Sequence, residues 1–202
     1  MYALPEQYFT ASPTSAHEVR TVSYVTKGGR TLKFQTDSGV FSKGRVDRGT
    51  EELLKAIEVR DGESFLDLGC GYGAVGIAIA AAVPSAGVWM VDINERACGL
   101  ARLNAERNGV GRVVVACGDG FAPFEDRRFD VIAANPPIRA GKAVVHRLVE
   151  EAHDRLKPGG RFYAVARTKQ GAGSLREFIV GIYGCADEPE IGGGYRVIRA
   201  VR

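Results

Sequence analysis

From residue 63 to the C-terminus, short apolar runs alternate with segments of helical spacing. An apolar run of roughly four to eight residues between turn signals is typical of a buried strand. The predicted sheet strands are 64–68, 88–91, 113–116, 130–134, 161–167, 184–188 and 195–201. Strands that alternate with helices form a mainly parallel sheet covered on both faces, and the last two strands, which no helix separates, allow one antiparallel edge strand. The sequence therefore predicts a doubly wound α/β fold with a mostly parallel, seven-stranded sheet.

Helical spacing marks the connections between these strands. Thr50 is expected to cap the first helix, since its hydroxyl can accept a hydrogen bond from a backbone N–H of the first turn. Asn94 is expected to cap a helix that ends near Arg107, before Asn108-Gly109. The other predicted helices span 74–82, 143–156 and 174–180, and Pro158-Gly159-Gly160 is expected to end the second of these.

The first 48 residues follow a different pattern. The alternating β-branched runs 19–26 and 31–36 are joined by Lys27-Gly28-Gly29-Arg30, which predicts a β-hairpin. We therefore divide the chain into an N-terminal extension with a β-hairpin, residues 1–48, and a main α/β domain, residues 49–202.

The charge balance permits an anionic partner without requiring one. The formal net charge is +3, from 27 Lys and Arg against 24 Asp and Glu. Six of the basic residues lie between Lys27 and Arg48, with only two acids among them. This segment is either a solvated basic face or a surface that meets nucleic acid.

The cysteine, histidine and hydropathy patterns exclude several classes of protein. The four cysteines and three histidines have no spacing typical of a metal site or a redox pair. The longest apolar stretch, 74–83, is far shorter than the roughly 20 residues of a membrane span. We therefore expect a reduced, cytoplasmic setting with no metal and no membrane partner.

A glycine-rich loop follows the first strand of the predicted sheet. It reads Asp67-Leu68-Gly69-Cys70-Gly71-Tyr72-Gly73 and lies at the carboxyl edge, where open α/β sheets bind ligands. Gly71 to Gly76 also matches the dinucleotide fingerprint, with Asp92 about 20 residues further on. The strand ends at Asp67, however, and a carboxylate there would repel a pyrophosphate and attract a cationic ligand.

The loop resembles the acidic-x-glycine-x-glycine-x-glycine signature of class I S-adenosylmethionine-dependent methyltransferases. The resemblance implies a Rossmann-like methyltransferase fold and S-adenosylmethionine, which carries an ammonium and a sulfonium, as the cofactor. In that family the acid and the glycines hold the methionine part of the cofactor. This role is carried over to Asp67, Gly69, Gly71 and Gly73, and Cys70 between them is taken as a further cofactor-binding residue.

Two more carboxylates lie at the ends of the second and third sheet strands. Asp92 can accept hydrogen bonds from the two ribose hydroxyls, and Ile93 can pack on the adenine ring. Asp119 can accept from the adenine amino group, with the backbone of Gly120 close to the ring nitrogen. Either acid alone is also typical of an ordinary loop or cap, so the inference depends on carboxylates at three successive strand ends.

The fourth sheet strand ends in Ala134-Asn135-Pro136-Pro137-Ile138. The two prolines fix the backbone after Asn135, so its side-chain oxygen and a neighbouring main-chain carbonyl can accept hydrogen bonds from one planar amino group. That holds the nitrogen lone pair toward a methyl carbon, and transfer is promoted by proximity and electrostatic alignment. We predict Asn135, Pro136 and Pro137 as catalytic residues, with Asn135 also in contact with the cofactor. The alternative is a rigid proline turn without chemistry.

Asn-Pro-Pro followed by an aromatic residue is the mark of methyltransferases that act on the amino groups of adenine, guanine or glutamine. In this chain Ile138 stands in place of the aromatic residue that would stack on a base. Phe41, Tyr72 and Phe121 are the candidates to replace it.

A narrower resemblance covers about residues 8–202. Gly39-Val40-Phe41-Ser42, Arg45-Val46-Asp47, Gly49-Thr50 and the run from Asn135 to Lys142 are similar to the small-subunit ribosomal RNA guanine-N2 methyltransferase family, in its short single-domain members. The resemblance implies methyl transfer to an exocyclic amino nitrogen, guanine N2 of ribosomal RNA, with RNA as the partner.

The resemblance also implies a set of substrate-binding residues. They are Phe41, Arg45, Ile138, Arg139 and Lys142. Arg139 and Lys142 follow the proline turn, where they can meet substrate phosphate or cap the next helix. Longer members of the family carry an additional N-terminal domain, so we expect either a homodimer or recognition of RNA through the hairpin.

Three other functions stay open on the sequence. The methyl group could go to a protein glutamine amide or to a small molecule. The chain could bind S-adenosylmethionine without catalysis, as an RNA-associated module. The dinucleotide match keeps a dehydrogenase as the remaining alternative.

Overall fold

The computed structural model describes residues 11–12, 15–42, 44–124 and 126–202, apart from the side chain of Arg139. Within these residues the chain forms nine strands and five α-helices. The strands are β1 (Arg20–Val25), β2 (Thr31–Thr36), β3 (Ser64–Leu68), β4 (Gly87–Asp92), β5 (Val113–Cys117), β6 (Phe129–Ala134), β7 (Leu156–Arg167), β8 (Asp187–Gly192) and β9 (Tyr195–Val201). The helices are α1 (Arg48–Ala56), α2 (Ala74–Ala82), α3 (Glu95–Arg107), α4 (Lys142–Arg155) and α5 (Ala172–Tyr183). None of these helices is long and apolar enough to cross a bilayer.

Seven strands form the main sheet, in the order β5-β4-β3-β6-β7-β9-β8. Strands β3 to β7 run parallel, and β9 runs antiparallel to both β7 and β8 at one edge of the sheet. Strands β8 and β9 are joined by Gly193 and Gly194, whose φ angles of 56° and 83° are readily adopted by glycine. A turn this short can only reverse the chain, so the antiparallel strand follows from the missing helix. The predicted fold class is confirmed.

Helices cover both faces of this sheet. On one face α1, α2 and α3 pack over a core that includes Phe65 and Met90. On the other face α4 and α5 pack over a core that includes Leu66 and Phe162. Neighbouring strand residues such as Phe65 and Leu66 enter opposite cores because side chains alternate across a strand. Burial on both faces explains why the strands are continuously apolar.

The β1–β2 hairpin packs on α3 rather than on the main sheet. Its side chains Val22, Leu32 and Phe34 are buried in the same core as α2 and α3. Asn104 of α3 and Asn108, the C-cap of the same helix, pair with the free edge of β2. Asn104 accepts from Gln35 N at 2.7 Å and donates to Gln35 O at 2.9 Å, and Asn108 makes the same pair of bonds to Lys33 at 3.0 and 2.8 Å. The hairpin edge is thus satisfied by side-chain amides instead of another strand.

Several predicted boundaries are wrong. Asp47, and not Thr50, is the N-cap of α1, because its carboxylate accepts from Gly49 N at 2.8 Å. Aspartate caps helices at least as well as threonine, and the extended backbone of Asp47 suits that role. Helix α4 ends at Arg155, so Pro158-Gly159-Gly160 lies within β7 and not at the end of the helix. Gly184 ends α5 with a φ of 82°, which moves β8 to Asp187–Gly192 from the predicted 184–188.

Candidate functional site

A cavity of about 350 Å³ opens at the carboxyl ends of β3, β4, β5 and β6. Its lining includes most of the residues predicted to bind a cofactor or to act on it. They are Asp67, Gly69, Cys70, Gly71, Asp92, Ile93, Asp119, Gly120, Asn135, Pro136 and Pro137. Gly73 is absent from the lining and instead caps α2. Consecutive parallel strands end at the same edge, which brings these distant segments together.

The glycine loop turns sharply between β3 and α2. Gly69, Gly71 and Gly73 have φ angles of 76°, 56° and 90°, which side chains other than glycine rarely adopt. The backbone N–H groups of Gly69 and Cys70 both donate to Val91 O at 2.9 Å, which fastens the loop to β4. Gly76 serves a different purpose, because a β-carbon there would lie 2.4 Å from Met90 Sδ. Glycine at 76 therefore lets α2 approach the sheet closely.

Asp67 lies beneath the loop. It is 3% exposed, and its Oδ2 accepts from Gly76 N at 2.9 Å. Burial, with a smaller contribution from the charge of Asp92, raises the pKa of Asp67 to about 7. An acid with this pKa ionises more readily when a cation binds beside it.

Asp92 holds the loop from the end of β4. Its Oδ2 accepts from Gly71 N at 2.8 Å and its Oδ1 accepts from Asn94 N at 2.9 Å. Burial raises the pKa of this carboxyl as well. Each carboxylate oxygen can accept more than one hydrogen bond, so Asp92 can still meet hydroxyl groups in the cavity. Ile93 and Ala97 give the cavity an apolar wall next to it.

Asp119 has a partner that sequence reasoning missed. Arg147, on α4, donates to Asp119 Oδ1 at 2.7 Å and to Glu151 Oε1 at 2.9 Å, and it also lines the cavity. Gly120 lies close by, where a β-carbon would be 2.9 Å from Glu151 Oε2. The arginine is 28 residues from the aspartate along the chain, so no local pattern links them.

Asn135 follows β6, at the point where the proline turn begins. Its Nδ2 donates to Thr50 Oγ1 at 3.4 Å, which leaves its side-chain oxygen available as an acceptor. Thr50, which is buried in the first turn of α1, is thus a site residue rather than a helix cap. The turn itself is closed by Ile138 N, which donates to Pro136 O at 2.8 Å.

A second cavity, of about 620 Å³, adjoins the first. The two share the residues Val40, Phe41, Asn135 and Pro136. The rest of the second cavity is lined by Gly39, Ser42, Asp47, Ile138, Val165, Ala166, Arg167, Gln170 and Tyr195. Asn135 and Pro136 therefore line both of these adjoining cavities.

The predicted substrate residues separate into two groups. Phe41 and Ile138 line the second cavity, whereas Arg45 and Lys142 line neither cavity, and the Arg139 side chain is outside the described residues. Among the other stacking candidates, Tyr72 is buried and lines the first cavity, and Phe121 is buried in the core beneath α4.

The segment that carries Phe41 is anchored to α3. Asn94 caps α3 as predicted, accepting from Arg96 N at 3.0 Å and Ala97 N at 3.1 Å, and its Nδ2 donates to Gly39 O at 2.8 Å. Arg96 donates to Ser38 O at 2.7 Å. These bonds hold the segment over both cavities.

The basic residues of the hairpin take part in packing. Lys27 Nζ donates to Lys55 O at 2.7 Å, and Arg30 donates to the backbone carbonyl of Asn108. Lys43 lies outside the described residues. In the part of the chain that the structure describes, no three His, Cys, Asp or Glu residues are grouped so as to hold a metal ion.

Comparisons with known proteins show the family to which the chain belongs. The sequence matches the methyltransferase small domain family over residues 31–199. It is 36% identical over 199 residues to the protein named "Uncharacterized protein YbxB" of Bacillus subtilis (strain 168), covering 98% of each chain. It is 39% identical over 140 residues to Ribosomal RNA small subunit methyltransferase C of Hahella chejuensis, covering 67% of this chain and 40% of that protein.

Among solved structures, a similar fold is found in the T. thermophilus 16S rRNA N2 G1207 methyltransferase, in complex with AdoMet and guanosine. The TM-score is 0.82 at 28% identity, and the match covers 94% of this chain and 52% of that chain. The chain thus spans about half or less of the named ribosomal RNA methyltransferases that it matches. The family match sets the dinucleotide alternative aside and confirms the prediction from the glycine loop: this protein belongs to the methyltransferase small domain family, among the S-adenosylmethionine-dependent methyltransferases.

Proposed function

We propose that this protein transfers the methyl group of S-adenosylmethionine to the N2 amino group of a guanine in small-subunit ribosomal RNA. The observation that carries the proposal is that Asn135 and Pro136 line both of two adjoining cavities. The T. thermophilus relative, in complex with AdoMet and guanosine, supports the choice of both ligands. In this proposal the first cavity takes the cofactor and the second takes the acceptor base.

The residues of the first cavity fit the cofactor. Buried carboxylates suit a ligand with positive charges, and the raised pKa of Asp67 means that a bound cation favours its ionised form. We assign Asp92 to the ribose hydroxyls, Ile93 to the adenine face, and Asp119 with Gly120 to the adenine edge. When bound, the cofactor supplies an electrophilic methyl carbon on a sulfonium.

Asn135 orients the acceptor nitrogen. Its Oδ1 and the carbonyl of Pro136 accept hydrogen bonds from the amino group, which directs the nitrogen lone pair toward the first cavity. The Thr50 hydroxyl lies 3.4 Å from Asn135 Nδ2, a long contact that favours this orientation of the amide. With the cofactor bound in the first cavity, Asn135 would hold the nitrogen lone pair in line with the methyl carbon, and the cofactor sulfur would keep the electron pair of the bond that it loses. The alkylated nitrogen then loses a proton to water, so no strong base is required.

The proposed substrate contacts surround the second cavity. Phe41 and Ile138 provide apolar surface for the base. Arg45 and Lys142, which line neither cavity, are assigned together with Arg139 to RNA phosphates, because phosphate contacts supply much of the affinity of nucleic-acid binding.

The test is a methyl-transfer assay on the purified protein with isotopically labelled S-adenosylmethionine. Small-subunit ribosomal RNA is one acceptor and total protein extract is the other. Nuclease digestion and mass spectrometry should detect labelled N2-methylguanosine at a single mapped nucleotide. Label found only in protein would support the glutamine alternative, and cofactor binding without any transfer would support the noncatalytic module.

Replacement of Asn135 tests the proposed chemistry. We expect Asn135→Ala to lower kcat by about 100-fold or more, because the acceptor loses its alignment, while S-adenosylhomocysteine still binds. Asn108→Ala is the matched control, since Asn108 is the C-cap of α3 and lines neither cavity. Equal kcat values for the two variants would contradict the assignment.

A further inference from the structure

The second cavity contains a carboxylate that the proposed chemistry does not use. Asp47 lines this cavity together with Asn135, Phe41 and Tyr195. It is also the N-cap of α1, and Thr50, in the first turn of the same helix, contacts the Asn135 amide at 3.4 Å. The beginning of α1 therefore connects Asp47 to the residue proposed to bind the acceptor amino group.

The position of the Asp47 carboxylate is closely defined. Its Oδ2 accepts from Gly49 N at 2.8 Å, and Tyr195 OH lies 3.4 Å from its Oδ1. Glycine is needed at 49, where a β-carbon would lie 2.8 Å from Asp47 Oδ2 and 2.9 Å from Tyr195 Cε1. The long contact to Tyr195 leaves Oδ1 with the capacity for a shorter hydrogen bond from a ligand.

Two neighbours of Asp47 in the second cavity, Tyr195 and Arg167, add hydrogen-bond donors and planar groups. Burial, followed by the charge of Asp47, raises the pKa of Tyr195, so its hydroxyl stays protonated and can only donate to the carboxylate. The Arg167 guanidinium lies 5.0 Å from the centre of the Tyr195 ring and lines the same cavity. Aromatic rings and an arginine are groups that commonly stack on bases or bond to their edges.

The edge of guanine matches this arrangement. Guanine carries the N1–H donor directly beside the N2 amino group, so a base whose N2 amino group is held by Asn135 presents N1–H along the same edge. A carboxylate accepts that hydrogen bond. A purine whose N1 is an unprotonated acceptor would instead face the negative charge, and sites built to hydrogen-bond a group strongly reject an analogue that lacks it.

We propose that Asp47 selects guanine by accepting a hydrogen bond from its N1–H, with Arg167 donating to the O6 side of the same base. The inference rests on the proposed function, because it places the acceptor base in the second cavity. It adds a specificity-determining residue that is separate from Asn135.

The test uses an RNA that carries either guanine or 2,6-diaminopurine at the acceptor nucleotide mapped in the transfer assay. Both bases have a 2-amino group, but N1 of diaminopurine has no hydrogen. The wild-type protein should methylate guanine much faster than diaminopurine. Asp47→Asn should lower kcat/KM for guanine by about 100-fold and raise it for diaminopurine, because the new amide can donate to N1. Asparagine is as good an N-cap as aspartate, so α1 is retained.

Glu51→Gln is the matched control. It removes one negative charge from the first turn of the same helix, at a residue that lines neither cavity. We expect this variant to keep the wild-type preference for guanine. If Asp47→Asn lowers kcat/KM for the guanine RNA and for the diaminopurine RNA by the same factor, Asp47 has a structural role only and the inference is wrong. If the wild-type protein methylates no guanine in RNA, the proposed function itself fails, and the inference with it.

Discussion

Asp67 illustrates how one buried residue couples the protein to pH. Burial raises its pKa from 3.8 to about 7. The folded state therefore holds a proton on Asp67 between these two values, whereas the unfolded chain does not. The contribution of Asp67 to the free energy of unfolding is largest below about pH 4 and decreases as the pH rises through 7. A cation bound beside the carboxylate would stabilise its ionised form and so lower the pKa of Asp67.

We expect the affinity for S-adenosylmethionine to depend on the ionisation of Asp67. Between pH 8 and pH 6 the Kd should rise about tenfold, since the carboxyl takes up a proton that binding must release. Asp67→Asn should bind more weakly and show a nearly flat profile, measured by calorimetry across that range. If Asp67→Asn keeps the full pH dependence of the Kd, the titrating group is not Asp67. Asp92 would then be the candidate, because burial raises its pKa as well.

The hairpin and α3 show how one element can complete another. Asn104 is fully buried, and besides its two bonds to Gln35 it donates to Tyr72 O in the glycine loop at 2.9 Å. One side chain thus joins β2, α3 and the loop at the first cavity. Asn108, one helical turn later, makes the matching pair of bonds to Lys33 but is only half-buried.

We predict that Asn104→Ala lowers the free energy of unfolding by about 2–4 kcal/mol, because it leaves buried backbone groups without partners. Asn108→Ala removes a similar pair of bonds where water can replace them, so its cost should be clearly smaller. Urea unfolding of both variants measures the difference. Similar losses in both would mean that burial does not govern the strength of this contact.

At the scale of the whole molecule, the two predicted parts of the chain share one core. The division into residues 1–48 and 49–202 stays a prediction. Phe34, however, is fully buried among residues of α2 and α3, and its ring centre lies 5.7 Å from that of Tyr72. We therefore expect the hairpin and the main sheet to unfold together rather than one after the other.

Phe34→Ala tests this expectation. The substitution should lower the free energy of unfolding of the entire protein by about 3–5 kcal/mol, within a single transition. Val25→Ala, on the same hairpin at a residue that is 60% exposed, should change it by roughly 0.5 kcal/mol or less. Calorimetry that detects a separate hairpin transition in the Phe34 variant, with the main transition unmoved, would favour two independent units.

Local sequence determined most of the elements and most of the residues that line the first cavity. Helix α2 spans the predicted residues, and Asn94 caps α3 as its position before the helix suggested. Hydrophobic period and turn chemistry are properties of a few neighbouring residues, so they can be read without knowing the rest of the fold. The parallel sheet then brings successive strand ends together, which is why Asp67, Asp92 and Asn135 meet.

Only the tertiary structure decided the second cavity and the partners of the site residues. Tyr195 meets Asp47 across 148 residues of chain, because β9 lies between β7 and β8 and brings its first residue toward α1. Arg147 reaches Asp119 only once α4 packs on the sheet. Such contacts depend on strand order and on how whole elements pack, and no local pattern encodes them. The sequence by itself therefore determined most of the elements and most of the residues that line the first cavity, and long-range packing decided what lines the second.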